Sequence, residues 1–366
     1  MKPRKKAPDF VLFVVTLLLL TVGVIMVLSA SYVIAETRYA DGYYFLKRQL
    51  LWALLGIAGM TTVMKIDYSR FKKWATPLFG LAVLLLVLVL IPGVGISIKG
   101  ASRWLGVGSL TFQPSEVAKL ALVVFLAKNL AARPDQIKFF FQGFFPKILI
   151  VGLICGLILA QPDLGTAVAI AGTSYLLFLA AGARKTHLAG LALLGLALVG
   201  AAIYVAPYRM ARFTAFLNPW ADPLGNGFQT IQSLYAVGSG RLFGMGLGQG
   251  RQKFLYLPEQ HTDFIYAVLC EELGFLGALF VLLLFFAFMW RGLKIALKAP
   301  DTFGALLATG ITIMVVLQAL INIGVVTGSL PVTGITLPLI SFGGSSLTLN
   351  LVGIGILLNI SQHLEE

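Results

Sequence analysis

The stretch FVLFVVTLLLLTVGVIMVL at 10–28 contains 19 residues and no charged side chain. An uncharged apolar run of about 18 residues or more is typical of a membrane-spanning helix. The basic residues Lys2, Arg4, Lys5 and Lys6 precede the run, as they would in a signal peptide. The run is longer than the roughly 7–15 apolar residues of a signal peptide, however. The stretch therefore predicts an uncleaved first membrane span.

Apolar runs of the same kind recur along the whole chain. The 366 residues are 58% hydrophobic and 12% charged, whereas a soluble domain carries about 25% charged residues. We therefore predict an all-α, polytopic membrane protein that forms one domain over residues 1–366 and has ten transmembrane helices. The predicted spans are 10–30, 46–65, 75–95, 114–132, 146–162, 164–183, 188–206, 264–290, 303–327 and 339–360.

The basic residues predict how these spans are oriented. Ten spans put both termini on one side of the membrane, and cytoplasmic loops carry the excess of Lys and Arg. With cytoplasmic termini, the inner segments hold 17 of the 28 Lys and Arg residues, so we predict that both termini are cytoplasmic. The net charge of +13 does not predict nucleic-acid binding, because the basic residues are dispersed between apolar runs and form no single stripe.

The longest loop lies on the predicted outer side, at about 207–262 between spans 7 and 8. It is rich in glycine and contains the basic residues Arg209, Arg212, Arg241, Arg251 and Lys253. Its apolar segments FQTIQSLYAV and LFGM are too hydrophobic to remain solvated, so we predict short amphipathic or re-entrant pieces at the bilayer surface. The glycine run GMGLGQG at 244–250 has no strand and helix around it, which excludes a dinucleotide-binding fingerprint.

Acidic residues gather where this loop enters the eighth span, in LPEQHTDFIYAVLCEELG at 257–274. Glu259, His261 and Asp263 alternate, and in an extended backbone they would share one face and could bind a divalent cation. Alternatively, Thr262 or Asp263 caps a helix that begins at Phe264. Further along, at least one of the adjacent Glu271 and Glu272 should face the protein interior, either in a structural ion pair or at a functional site.

Other polar residues also lie on the predicted outer side or inside spans. Glu116 and Lys119 are three residues apart in the fourth span, where an ion pair would lower the cost of burial. Asp163 follows the fifth span in the turn QPDLGT, and Arg103 lies in the outer loop GASRWLGVG. Arg103, Arg209 and Arg212 suit an anionic head group, since arginine binds phosphate bidentately. General attraction to anionic lipid would explain the same charges.

Several long motifs occur in an order that resembles the SEDS family (shape, elongation, division and sporulation), and in particular its division and spore-cortex branch. The resemblance covers about residues 9–361. The motifs are YFLKRQLLW at 44–52, GASRW at 100–104, FQPSEVAKL at 112–120, QPDLGTA at 161–167, NPWADPLGNGFQ at 218–229, LPEQHTDF at 257–264, EELG at 271–274, INIG at 321–324 and GITLPLISFGGSS at 334–346.

The resemblance implies a glycosyltransferase that polymerises lipid II into peptidoglycan at the outer face of the bacterial cytoplasmic membrane, for the division septum or the spore cortex. It implies that Asp263 is essential and that a class B penicillin-binding transpeptidase is the partner. Asp263 would be the general base. The leaving pyrophosphate would be stabilised by Arg103, Arg209 and Arg212, with Lys119 or a divalent cation (Mg²⁺ or Mn²⁺) as further candidates. Glu116, Asp163 and His261 complete the predicted substrate-binding residues.

Two other functions fit part of the same pattern. A transporter or flippase for lipid-linked precursors would use the charged residues inside the spans and the broken helices near 331–344. It would need a site at the membrane midplane, whereas an enzyme can place Asp263 at the outer mouth. A scaffold for a partner enzyme is the third possibility, and it does not explain so many polar groups on the outer side.

Overall fold

The computed structural model describes residues 6–98, 100–107, 110–254 and 256–364. Within these ranges the chain is built mainly of α-helices, joined by short helical turns at Pro134–Lys138, Phe140–Phe144 and Pro219–Ala221. The helices are α1 Phe10–Tyr39, α2 Tyr44–Lys65, α3 Ser69–Leu88, α4 Pro114–Ala132, α5 Phe145–Leu159, α6 Leu164–Ala180, α7 Lys185–Val205, α8 Pro207–Leu217, α9 Phe228–Ser239, α10 Ile265–Leu297, α11 Thr302–Val326 and α12 Gly344–Ser361.

Each of the ten predicted spans overlaps one of the helices α1–α7 and α10–α12. In the described part of the chain, seven helical segments are long and apolar enough to cross a membrane, and α6 is a shorter apolar helix. The seven segments are Phe10–Tyr39, Ser69–Leu88, Phe140–Leu159, Lys185–Val205, Ile265–Leu297, Thr302–Val326 and Gly344–Ser361. Helices α2 and α4 carry several charged residues, which lowers their mean hydropathy.

A small antiparallel sheet corrects the prediction that the fold is entirely helical. Its strands are β1 Ile96–Ile98, β2 Ala101–Val107 and β3 Leu110–Phe112, with β2 in the centre. The register pairs Ile96 with Trp104 and Leu105 with Phe112. The outer strands have only three residues each, and the central strand ASRWLGV does not alternate apolar and polar residues, so none shows the pattern by which a strand is predicted from sequence. The central strand carries Arg103 and presents it towards the turn between α5 and α6.

The helices α11 and α12 form the centre of the bundle, and α7 lies at its edge. Most of the surface of α11 and α12 is buried, whereas α7 is exposed almost throughout. Small residues allow the central helices to approach their neighbours closely. A Cβ added at Gly310 of α11 would lie 2.6 Å from the Val123 side chain of α4, and one at Gly355 of α12 would lie 2.6 Å from the Met60 carbonyl of α2.

Helix α10 is broken at Gly274, where φ is 69° and ψ is −168°. The preceding loop pairs with the backbone groups that the break exposes, since unpaired groups would be costly inside the bundle. Four bonds do this: Met245 N–H to Glu271 O, Gly246 N–H to Glu272 O, Phe275 N–H to Arg241 O and Leu276 N–H to Leu242 O. The glycine run at 244–250 therefore lies directly against α10, and a Cβ added at Gly244 would lie 2.2 Å from the Glu272 carbonyl oxygen.

The acidic pair before this break is buried and holds the same loop. Glu272 accepts from Lys253 Nζ at 2.7 Å and from the Ser29 hydroxyl of α1 at 2.7 Å. Glu271 accepts from the backbone N–H groups of Arg251 at 2.8 Å and Gln252 at 3.2 Å. Both carboxylates therefore connect α10 to the loop, and Glu272 does so through an ion pair with Lys253, which is one of the two predicted alternatives. The rest of the 207–262 loop contains the short helices α8 and α9, as the sequence predicted.

A polar cluster ties the two ends of the described chain together, and we call Asp9, Tyr68, Arg291, Asn359 and Ser361 the termini cluster. Arg291 of α10 binds both carboxylate oxygens of Asp9, and the backbone N–H of Asp9 donates to Ser361 Oγ at 2.9 Å. Asn359 donates to the Met64 carbonyl at 2.7 Å and accepts from the Tyr68 N–H at 2.9 Å. Burial and a hydrogen bond to Asp301 raise the pKa of Tyr68, so its hydroxyl remains a donor.

Candidate active site

Asp263 lies in the turn before α10. The helix begins at Ile265, and the capping position, Phe264, provides no side-chain hydrogen bond. The capping position is therefore one residue later than Asp263 and two later than Thr262, the two predicted caps. The Thr262 hydroxyl donates to Glu259 Oε2 at 3.0 Å, and such local bonds compete with capping. The position of Asp263 is set by contacts with other parts of the fold.

Two buried side chains hold the main chain of this turn. Asn322 of α11 donates from Nδ2 to the Asp263 carbonyl at 2.7 Å, and Ser341 donates from Oγ to the Thr262 carbonyl at 2.6 Å. Asp263 Oδ2 lies 3.6 Å from the position that a Cβ would occupy on Gly334. Gly334 has a φ of +79°, a conformation that glycine adopts without strain. The Asp263 carboxylate is thus placed beside the loop that connects α11 to α12.

Glu116 and Lys119 form the ion pair that the sequence predicted, inside the bundle. Both side chains are buried, and Lys119 Nζ lies 2.8 Å from Glu116 Oε1. Lys119 also donates to Gln318 Oε1 of α11 at 2.6 Å. Gln318 in turn donates from Nε2 to the Thr336 carbonyl at 3.0 Å. The ammonium group is therefore directed towards the same α11–α12 loop that Asp263 contacts.

These groups surround a small polar cavity of about 40 Å³, whose lining includes Glu116, Lys119, Thr166, Gln318, Gly334 and Thr336. A water molecule needs about 10–15 Å³ by this measure, so the cavity has room for about three. Gly334 contributes to this lining and also faces the Asp263 carboxylate. One loop thus separates the carboxylate of Asp263 from the ammonium of Lys119.

Arg103 and Asp163 form a second cluster next to the polar cavity. Arg103 lies 3.6 Å from Asp163 Oδ2, and it donates to the carbonyls of Gln161 at 3.0 Å and of Pro162. Asp163 caps α6 by accepting from the Thr166 N–H at 3.1 Å and the Thr166 hydroxyl at 2.9 Å. Because Thr166 also lines the polar cavity, this cluster adjoins the cavity.

Arg209 and Arg212 lie elsewhere, on α8. Arg209 donates to the Ala202 carbonyl of α7 at 3.0 Å and to the hydroxyl of Tyr208 at 2.8 Å. Among the described residues, the lining of the polar cavity includes neither arginine. The structure therefore does not bring these two predicted residues into contact with the Glu116–Lys119 pair. The same role was predicted for these two residues and Arg103 because the sequence shows only that all three are basic and lie on the predicted outer side.

His261 is packed between aromatic rings. The centroid of its ring lies 4.5 Å from that of Phe45 and 5.8 Å from that of Phe342, and its carbonyl accepts from the Phe342 N–H at 2.9 Å. Residues 6–98, 100–107, 110–254 and 256–364 include no group of three or more His, Cys, Asp or Glu that could hold a metal ion. The alternating residues Glu259, His261 and Asp263 therefore do not form such a group in this structure.

Gln318 and Asn322 contact the site, and neither was predicted as a site residue from the sequence. They lie four residues apart on α11, and both are buried. Two amides at that spacing in a span without charges are a signal that could have identified them, because buried polar residues in membrane spans mark functional or packing sites.

Comparison with known proteins gives a consistent result. A family model described as "Cell cycle protein" matches residues 9–366. The chain is 53% identical to stage V sporulation protein E of Bacillus subtilis, over 99% of both chains. It is 45% identical to a probable peptidoglycan glycosyltransferase FtsW of a Geobacter species, over 99% of this chain and 98% of that one.

Solved structures agree with these sequence relationships. A chain from a peptidoglycan synthase complex, described as coordinating polymerization and crosslinking, superposes with a TM-score of 0.79 at 33% identity, covering 97% of this chain and 98% of the other. The rod shape determining protein RodA of Thermus thermophilus superposes with a TM-score of 0.72 at 31% identity, covering 98% of each chain. The motifs, the helical fold and these matches together show that this chain belongs to the SEDS family of cell cycle proteins.

Proposed function

We infer that this chain is a peptidoglycan glycosyltransferase that polymerises lipid II into glycan strands. One observation carries the assignment of the site: Asp263 Oδ2 faces Gly334, and the same loop lines the polar cavity with Lys119 and Glu116. A carboxylate and an ammonium group on two sides of one loop suit a reaction in which a proton is removed while negative charge develops on a leaving group.

We propose a ten-span topology in the cytoplasmic membrane of a bacterium, with both termini cytoplasmic. Helices α1–α7 and α10–α12 would cross the bilayer, and the 207–262 loop with α8 and α9 would lie on the outer surface. The excess of basic residues in the inner segments supports this orientation. Asp263 then lies at the outer end of α10, where a lipid-linked sugar in the outer leaflet can reach it.

In the proposed mechanism, Asp263 removes the proton from a sugar hydroxyl of one lipid-linked chain. The hydroxyl oxygen then forms a bond to the anomeric carbon of a second chain, and the bond from that carbon to undecaprenyl pyrophosphate breaks. A single displacement inverts the anomeric centre. The proton ends on the Asp263 carboxylate, and the electron pair of the broken bond leaves with the pyrophosphate.

Cationic groups near the polar cavity would stabilise the pyrophosphate. Lys119 is the best placed, because it is buried in a low-dielectric setting where its charge acts strongly. Arg103 is partly engaged by Asp163 and by two carbonyls, so we propose that it orients the α5–α6 turn and adds positive potential. For Arg209 and Arg212 we propose initial capture of the anionic head group at the membrane surface.

We propose an indirect role in substrate binding for Glu116, Asp163 and His261, each of which holds a neighbouring group in place. Glu116 fixes Lys119, Asp163 fixes Arg103, and the packed ring of His261 fixes the approach to Asp263. We derive no step through a metal ion. A Mg²⁺ or Mn²⁺ requirement is tested by adding a chelator to the polymerisation assay. A class B penicillin-binding transpeptidase is the proposed partner, in keeping with the peptidoglycan synthase complex that contains a similar chain.

A flippase or transporter of lipid-linked precursors is the second candidate. The observation that favours it is the buried Glu116–Lys119 pair inside the bundle, together with the break in α10 at Gly274. Broken helices and intramembrane charges are typical of transporters. The site at Asp263 favours the enzyme, because chemistry can occur at the outer end of a span without a path across the membrane.

Purified protein, with and without the transpeptidase, is given lipid II and scored for glycan polymer. We expect the wild type to polymerise and Asp263→Asn to lose at least about 100-fold in rate, as loss of a general base does. Asp135→Asn is the matched control, since this exposed carboxylate lies in the turn between α4 and α5, and it should retain full activity.

Two results would overturn the proposal. Polymerisation by Asp263→Asn at the wild-type rate excludes Asp263 as the base. If the wild type forms no polymer with its partner present, but moves lipid II across the membrane of a sealed vesicle, the transporter replaces the enzyme.

A further inference from the structure

We propose that Gln318 and Asn322 are positioning residues that fix the Lys119 ammonium and the Asp263 carboxylate relative to each other. The inference rests on the proposed function, since it assigns roles around the same site. Both amides lie on α11, and they are four residues apart, so they project from one face of the helix. Both side chains are buried, with 2% and 1% of their surface exposed.

Asn322 joins two segments that are far apart in the sequence. Its Nδ2 donates both of its hydrogen atoms, one to the Asp263 carbonyl at 2.7 Å and one to the Ile335 carbonyl at 2.7 Å. Because both partners are carbonyl oxygens, which only accept, they must face the amide NH₂ group and not the amide oxygen. This determines the orientation of the Asn322 side chain. The turn that carries Asp263 and the loop that carries Gly334 are therefore held at a fixed separation.

The other atom of the Asn322 amide indicates that this arrangement is not needed for packing alone. Its Oδ1 is buried and accepts no hydrogen bond. A buried unsatisfied oxygen costs about 1–3 kcal/mol, and the two bonds donated to the Asp263 and Ile335 carbonyls offset that cost. An unpaired buried atom in a native fold calls for an explanation, and a role in holding the Asp263 turn beside the loop provides one.

Gln318 makes the matching connection on the cavity side. Its Oε1 accepts from Lys119 Nζ at 2.6 Å, and its Nε2 donates to the Thr336 carbonyl at 3.0 Å. The Lys119 ammonium group could pair with the Glu116 carboxylate alone in more than one orientation. The bond to Gln318 selects the direction that points the ammonium towards the α11–α12 loop.

The two amides thus bind consecutive carbonyls of one loop, those of Ile335 and Thr336, directly after Gly334. Asp263 is attached through Asn322, and Lys119 is attached through Gln318. A rigid helical turn of α11 sets the spacing between the two attachments, about 6 Å for four residues at 1.5 Å each. Substitution of either amide should leave one of the two groups, Asp263 or Lys119, without its fixed position relative to the other. The remaining contacts of the fold should stay in place.

The decisive variant is Asn322→Asp, which keeps the size of the side chain and removes at least one of the two donated bonds, because a carboxyl group carries at most one hydrogen. We expect kcat for lipid II polymerisation to fall about 10–100-fold, because a misplacement of about 1 Å can cost 100-fold, while KM changes by less than about threefold. Gln318→Met should lower kcat in the same way. Each variant is measured per folded molecule, with the thermal unfolding midpoint recorded on the same sample.

Asn359→Asp is the matched control. Asn359 is also a fully buried asparagine that bridges two segments, through Met64 and Tyr68 in the termini cluster. We expect its variant to lower the unfolding midpoint and to leave kcat per folded molecule unchanged. If Asn322→Asp does not fold, Asn322→Ser replaces it, since a hydroxyl can donate one of the two bonds, and an intermediate loss of kcat is expected.

Three results are distinguishable. If folded Asn322→Asp polymerises at the wild-type kcat while Asp263→Asn is inactive, the positioning role is wrong and the proposed function stands. A loss of kcat in Asn359→Asp equal to that in Asn322→Asp would also overturn the positioning role, because the effect would then be general destabilisation. If Asp263→Asn itself retains wild-type activity, Asp263 is not the base, and the positioning role, which depends on its carboxylate, is wrong as well, although the chain is still a polymerase.

Discussion

The polar cavity and the termini cluster both bury hydrogen-bonding groups between helices, and they differ in how fully those groups are paired. In the termini cluster, Asn359 uses both of its amide atoms and Ser361 Oγ both accepts and donates. Around the polar cavity, Asn322 Oδ1 and Thr333 Oγ1 are buried without a hydrogen-bond partner. Both atoms flank the loop that contains Gly334.

The difference separates polar groups that hold the fold from polar groups that serve a site. Architecture requires saturated bonds, because each buried unsatisfied atom lowers the free energy of unfolding. A site that binds a substrate has hydrogen-bonding atoms that are unpaired until the substrate is bound. Substitutions of uncharged side chains around the polar cavity should therefore affect activity more than stability, and substitutions in the termini cluster should do the reverse.

The largest change in stability is expected at the buried Glu116–Lys119 ion pair. This pair belongs to the polar cavity, but its charges also make it important for stability. Lys119→Met leaves the Glu116 carboxylate without its cation, which should lower the free energy of unfolding by about 3–5 kcal/mol. The double variant Glu116→Gln/Lys119→Met should recover most of that loss, since an apolar or neutral replacement of a whole pair is tolerated. Thermal unfolding in detergent measures both.

Polymerisation assays on the same samples complete this test. We expect the double variant to remain inactive despite its recovered stability, because the ammonium near the leaving pyrophosphate is missing. Full activity in the stable double variant would show that the pair is architectural, and the contrast between the two regions would then be lost.

A moderate change is expected in the termini cluster. Arg291→Met removes the bidentate partner of Asp9, whose side chain is buried, and should lower the free energy of unfolding by about 1–3 kcal/mol. Activity per folded molecule should equal that of the wild type. An Arg291→Met protein that is as stable as the wild type but inactive would contradict the architectural role of this cluster.

The smallest change is expected at an exposed pair outside both regions. Lys47 lies 2.8 Å from Asp41, and the hydrogen bond to its ammonium holds the pKa of Asp41 below its ordinary value. A lowered carboxyl pKa adds stability above the unfolded-state pKa, and this stability is lost as the pH falls through the folded-state pKa. Lys47→Met should therefore unfold marginally earlier than the wild type at neutral pH.

Scanning the pH tests this prediction. The difference between Lys47→Met and the wild type should vanish at pH values below the folded-state pKa of Asp41. Because both side chains are exposed to solvent, the difference should also decrease as salt is added. A difference that grows at acidic pH would contradict the assigned cause of the pKa shift.

Much of the helical framework could be predicted from sequence, because uncharged runs of about 20 residues have few alternatives in a bilayer. Each predicted span overlaps a helix, and the Glu116–Lys119 pair follows from spacing on one helix. The strand that carries Arg103 was not predicted, since ASRWLGV has no alternating pattern and its neighbours have three residues each. The capping position of α10 was predicted too early, because the helix begins at Ile265 and not at Phe264.

The residues of the site also include some features that the sequence predicts and others that it does not. The sequence by itself determined that charged residues and amides would have to face the bundle interior, since the hydrocarbon core cannot solvate them. Only the tertiary structure decided which of them meet. It joins Asp263 to Asn322 and Lys119 to Gln318 through one loop, and it places Arg209 apart on α8. Contacts between residues 59 or 199 positions apart depend on helix packing, which no local pattern encodes.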